Sequence, residues 1–140
     1  MSIAVAQSSG TDVSLVGDVM SRDLLTLGQD TSLVDAAAAM TRRRVGAVLV
    51  MDGERLIGVV TERDVLQAVA SGDIGGQVAA WMTWHPETVG AEETTQQAGV
   101  VMIHGGFRHL PVLEDGKPVG IVSIRDLMRV ALEDVSPRGV

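Results

Sequence analysis

Apolar and polar positions along this chain follow one another in a fixed order of short runs. Leu24 to Leu27 is a brief apolar stretch that stops at Gly28, which predicts a short strand. Ser32 follows, with Asp35 three residues on. That spacing predicts a capping box, in which a hydroxyl and an N3 side chain satisfy the free backbone donors of a helix start. Leu33, Ala36, Ala37 and Met40 then recur at helical spacing. Two apolar runs, Val45 to Met51 and Leu56 to Val60, flank Asp52-Gly53, the pattern of a hairpin. Residues 62–70 predict a second helix. The order is strand, helix, strand, strand, helix.

The whole order returns 62 residues later without a gap. Val16 falls on Val78, Met20 on Met82, Met40 on Met102, Gly58 on Gly120, Arg63 on Arg125 and Asp64 on Asp126. Ser21 falls on Thr83 and Thr61 on Ser123. Thr94 and Gln97 repeat the capping-box spacing, and Asp115-Gly116 repeats the hairpin signal. The second copy of the last helix spans Ile124 to Leu132. Residues 14–71 and 77–134 therefore form two copies of one unit, joined by a glycine-containing linker at 72–76. Residues 1–13 and 135–140 read as tails. A unit of this size buries little surface alone. The expected fold is α+β, with two pseudo-two-fold-related repeats packed face to face on one shared core.

Composition narrows the function classes. The 140 residues carry 11 Lys+Arg against 18 Asp+Glu, a net charge of −7. That balance disfavours nucleic acid and anionic membrane surfaces, which need a basic face. There is no cysteine, so no thiolate site or cysteine nucleophile exists. No apolar run approaches the ~20 residues of a spanning helix. The N-terminus does not read as a secretory signal, and the expected location is the cytoplasm. His85, His104 and His109 lack metal-ligand spacing, so no metal site is expected. No nucleophile–base pair, phosphate-binding glycine loop or pair of catalytic carboxylates occurs, and the chain is not expected to be an enzyme.

One motif remains as candidate chemistry. Gly58-Val59-Val60-Thr61-Glu62-Arg63-Asp64 recurs as Gly120-Ile121-Val122-Ser123-Ile124-Arg125-Asp126. Each copy runs a strand into a hydroxyl, with an acid three positions later at a helix start. One reading is structural: Thr61 and Ser123 are N-caps with Asp64 and Asp126 at N3. The other uses the same physics for a ligand. A helix N-terminus offers N–H donors to a phosphate, a hydroxyl donates beside it, and a carboxylate accepts from both ribose hydroxyls.

The duplicated unit resembles the cystathionine-beta-synthase (CBS) domain, and the chain as a whole resembles a CBS pair, or Bateman module. The resemblance covers about residues 14–134. It rests on Asp18-Val19-Met20, on Phe107-Arg108-His109-Leu110-Pro111-Val112 and on the twofold glycine–Thr/Ser–Asp signature. It implies a regulatory module that binds AMP, ADP, ATP, S-adenosylmethionine or a related adenosyl ligand in clefts between the repeats. It also implies signalling to a partner protein and pairing into a disc-shaped homodimer. Carried over, it implies two crossed sites. One takes Val59, Thr61 and Asp64, walled by Met82, Glu87, Phe107 and Arg108. The other takes Ile121, Ser123 and Asp126, walled by Met20, Leu25, Val45 and Gly46. Arg108 and His109 are the expected positive charges for a phosphate, and their counterparts in the first copy are Gly46 and Ala47. The Arg42-Arg43-Arg44 run is either a solvated helix end or a compensating clamp. Trp81 and Trp84 are read as packing residues. The alternative function is a ligand-free dimeric scaffold, in which both motifs only cap helices.

Overall fold

The computed structural model describes residues 14–133; the two expected tails lie outside that range. Each repeat opens with one helical turn, α1 at Val16–Val19 and α4 at Val78–Trp81. In repeat 1, β1 (Thr26–Gly28), α2 (Leu33–Arg43), β2 (Ala47–Asp52), β3 (Arg55–Thr61) and α3 (Glu62–Ala70) follow. In repeat 2, β4 (Thr83–Trp84) precedes β5 (Val89–Gly90), α5 (Thr95–Gly105), β6 (His109–Glu114), β7 (Lys117–Ser123) and α6 (Ile124–Glu133). The first strand begins two residues later than expected, which leaves Leu24 and Leu25 in the connection ahead of it.

The sheets have the orders β1-β2-β3-β4 and β5-β6-β7. Within each, the first strand is parallel to the second and the hairpin is antiparallel. The Asp-Gly turns supply left-handed backbone, at Gly53 in one hairpin and at Asp115 and Gly116 in the other. Thr94 and Gln97 form the full capping box. At Ser32 only half forms: the hydroxyl accepts from the Asp35 N–H, with no return bond from the Asp35 carboxylate.

The two repeats exchange their leading segments. Val16 donates its N–H to the Glu93 carbonyl and Gly17 to Ala91; 62 residues on, Val78 donates to Thr31 and Ala79 to Gln29. The bridges Leu15–Thr94 and Ser32–Gln77 are related in the same way, and so are Ser21–Ile121 and Val59–Thr83. These matched bonds define the approximate two-fold axis. They also correct the expectation of a single shared core. Val16 and Met20 pack with Val89, Ala98, Met102, Leu110, Val112 and Val122 of repeat 2. Val78 and Met82 pack with Leu33, Ala36, Val50, Ile57, Val60 and Ala68 of repeat 1. A third cluster of Ala47, Leu49 and Val59, with Ile121 against it, joins the two sheets.

Candidate functional site

Both glycine–hydroxyl–acid motifs end a central strand and start a helix, and the two-fold axis turns them toward each other. They open on one continuous cleft of about 660 Å³ between the repeats. Thr61 caps α3: its backbone N–H donates to Asp64 Oδ2 at 2.8 Å, and the Asp64 N–H donates to the Thr61 hydroxyl at 3.4 Å. Ser123 and Asp126 repeat this at 2.8 and 3.1 Å. The cap is therefore real in both copies, and in both it uses only one carboxylate oxygen.

The other oxygen separates the sites. Asp126 Oδ1 lies 3.2 Å from Arg129 Nη1 in an ion pair. The counterpart of Arg129 is Gln67, and among the described residues Asp64 Oδ1 has no such partner. Burial raises the Asp64 carboxyl above its ordinary value of 3.8, against the opposing hydrogen bonds from Thr61 and the charge of Arg63. A half-buried carboxylate with one free acceptor oxygen suits a diol that donates two hydrogen bonds.

Twelve of the fourteen residues singled out from the sequence line this cleft. Val59, Thr61, Asp64, Glu87, Phe107 and Arg108 do so, as do Leu25, Val45, Gly46, Ile121, Ser123 and Asp126. Met20 and Met82 do not. They are 9% and 7% exposed and plug the cores. Met82 lies against Gly58 and Met20 against Gly120, so closely that a Cβ on either glycine would collide with the thioether. The motif glycines thus admit the exchanged methionine, a role hidden in the sequence because the contact crosses between repeats.

Sequence reasoning missed several lining residues. Arg63, Arg125 and Arg129 are among them; with Arg108 and Arg44, both weighed above as phosphate contacts, five of the 11 basic residues face the cleft. They stand among Asp23, Glu62, Glu87 and the two motif acids. The five arginines balance these five acids, so the cleft carries no net formal charge in a chain of net charge −7 and still offers guanidinium donors to a phosphate. Of the triple arginine, only Arg44 lines the cleft; Arg43 pairs with Asp23. Arg44 holds φ 56°, a left-handed helix end where the equivalent residue of repeat 2 is Gly106. Trp81 donates to Asp73 at 2.8 Å and packs on the repeat 1 core, while Trp84 remains 47% exposed.

His109, expected beside Arg108, also lines the cleft. It stands at the start of β6, and its Nδ1 is buried without a hydrogen-bond partner. Across the seam are Gly46 and Glu62; a Cβ on Gly46 would lie 2.8 Å from Glu62 Oε1 and 3.4 Å from His109 Nε2. Burial lowers the His109 pKa below 6.5, with Arg108 and Arg125 adding to the fall and Glu62 and Asp126 opposing it.

The fold and cleft define a class: a duplicated α+β module whose two strand-to-helix junctions converge on one polar cavity between the repeats. The CBS domain profile matches residues 16–71 and again 76–133, and the chain belongs to the CBS domain family as a tandem pair. A 17.7 kDa protein of Acidianus ambivalens is 33% identical over 120 residues, 84% of this chain and 73% of its own length. A CBS-domain protein of Agrobacterium tumefaciens has a similar structure, with TM-score 0.79 and 34% identity over 84% of this chain and 99% of its own. A CBS-domain protein of Pyrobaculum aerophilum, solved in complex with AMP, matches with TM-score 0.78 and 28% identity over 85% of this chain and 96% of its own.

Proposed function

We propose that this chain is a regulatory module that binds an adenine nucleotide or related adenosyl ligand in its inter-repeat cleft and passes that state to a partner protein. One observation carries the reading: two hydroxyl–acid helix starts and five arginines line the same cavity. In this reading Asp64 accepts from the ribose hydroxyls, Thr61 and the start of α3 meet a phosphate, and Val59 packs on the base. The arginines offset the phosphate charge. The same arrangement around Ser123, Asp126 and Ile121 serves as the second site, weakened because Arg129 already occupies the carboxylate. AMP, ADP, ATP and S-adenosylmethionine are the candidate ligands, and the AMP complex of the Pyrobaculum relative favours the first. The role is regulatory rather than catalytic. A ligand that bridges two repeats signals only if it binds one arrangement of them better than another. The module acts as a homodimer.

The test is a thermal-shift series with AMP, ADP, ATP, NAD, S-adenosylmethionine and a guanine nucleotide as control. A ligand at a hundred times its Kd adds about 2.7 kcal/mol, which for a chain of this size raises Tm by roughly 5–10 °C. The expected result is a shift for one adenosyl ligand that disappears in Asp64→Asn. No shift with any of them at millimolar concentration turns the reading to a ligand-free scaffold, in which both acids only cap helices.

A further inference from the structure

At Gly46 the two-fold relation between the repeats breaks. The backbone there is matched: the Glu62 N–H donates to the Gly46 carbonyl at 3.1 Å, and the Ile124 N–H to the Arg108 carbonyl at 2.9 Å. The side chains are not matched. His109 corresponds to Ala47, and Glu62 to Ile124. One corner of the seam thus sets a histidine of repeat 2 near a carboxylate of repeat 1, while the equivalent positions of the related corner are alanine and isoleucine. Gly46 leaves a gap between the two titratable groups. A Cβ there would lie 2.8 Å from Glu62 Oε1 and 3.4 Å from His109 Nε2.

The neutral imidazole fits this arrangement and the imidazolium does not. His109 Nδ1 is buried without a hydrogen-bond partner. Protonation makes both ring nitrogens donors, and a buried charged N–H without an acceptor is far costlier than a bare lone pair. The charged ring must therefore turn, or draw an acceptor to it. Four charged groups face it: Arg108 beside it, Arg125 and Asp126 from α6, and Glu62 from α3. The two arginines repel the charge. Asp126 is already engaged, one oxygen by the Ser123 N–H and the other by Arg129. Glu62 is exposed at the first position of α3 and forms no ion pair among the described residues. It is the carboxylate free to swing over Gly46.

We infer that His109 and Glu62 form a proton-operated latch across the seam, open while the imidazole is neutral and closed over Gly46 when it is charged. Closing ties β6 of repeat 2 to α3 of repeat 1 at one corner only. It also adds a positive charge to a cleft whose arginines and acids balance, which favours a phosphate. That effect on affinity rests on the nucleotide reading above; the latch itself does not. The test is an NMR titration of the histidine ring protons in the ligand-free chain, with His109→Gln identifying its signal. Glu62→Gln removes the carboxylate. Gly46→Ala keeps both groups and fills the gap between them. Glu62→Asp keeps the charge and shortens its reach, and it stands in if the alanine disturbs the fold. A latch lowers the His109 midpoint by about half a unit or more in all three. A fall in Glu62→Gln alone reveals a field without contact and overturns the latch, as does no change in any variant. Calorimetry with AMP as the probe then follows at about pH 7.5 and about pH 5.5, on either side of an ordinary histidine midpoint. Relative to His109→Gln, which shares the titration of AMP itself, the unmodified chain is expected to gain about threefold or more in affinity at the lower pH. Equal pH dependence in the two chains overturns the effect on the site. Absence of AMP binding at both pH values overturns the nucleotide reading, and the ring titration still decides the latch.

Discussion

Asp64 carries two duties on two oxygens, and a conservative substitution separates them. Asn keeps an acceptor for the Thr61 N–H but removes the charge that burial penalises. Asp64→Asn is therefore expected to leave the Tm of the ligand-free protein within a degree or two, while adenosyl-ligand affinity falls by at least about tenfold, or ~1.4 kcal/mol. Titration calorimetry with thermal melts checks both. His109 makes a different prediction. Its folded-state pKa lies below 6.5, so the unfolded chain takes up this proton first as pH falls. Stability present above 6.5 is lost as pH drops through 6.5 toward the folded value. His109→Gln is expected to flatten that part of the Tm–pH curve; an unchanged slope would assign it to another group. Arg44 holds a left-handed backbone where its counterpart is glycine, at a cost of about 1 kcal/mol. Arg44→Gly is expected to raise stability by roughly that amount and to weaken binding of a phosphorylated ligand, read by urea denaturation and calorimetry.

Among the elements, the exchange of leading segments couples the repeats. Helix α1 has four residues and no side-chain cap, so it has little stability of its own. It holds because Val16 and Met20 are buried in the other repeat's core, each contributing about 1.5–3 kcal/mol. Val16→Ala is expected to destabilise the whole module by about 2 kcal/mol, with one cooperative urea transition rather than two. Gly58→Ala drives a Cβ into Met82, an overpacking that costs about 1–3 kcal/mol. The partner change Met82→Ala is expected to relieve part of that strain in the double variant, and a double-mutant cycle measures it. The elements themselves were legible wherever local chemistry decides. The hairpins follow from Asp-Gly, and the helix starts from Thr or Ser with an acid or amide three residues on. The one-turn helices and the two-residue β4 were not legible, because their stability comes from contacts with the other repeat.

At the scale of the molecule, the cleft exists only once the two repeats are docked. Five arginines gather there with five acids in a chain that is acidic overall, and the proposed ligand reading rests on that gathering. Large apolar side chains on the helices of both repeats, Leu66 and Ile103 among them, remain in water.

The duplication, the order of elements, the caps, the hairpins and the two hydroxyl–acid motifs of the cleft were legible in the sequence, because a fixed offset and local backbone chemistry are written in one dimension. Docking of the repeats is what puts Met20 and Met82 in the cores instead of the cleft wall, and what leaves Asp126 engaged by Arg129 while Asp64 keeps an oxygen free among the described residues. It also decided that His109 meets Gly46 and Glu62 at the seam. Each of these depends on which side of a docked surface a side chain takes, and spacing along the chain does not encode that until the two repeats have exchanged their leading segments.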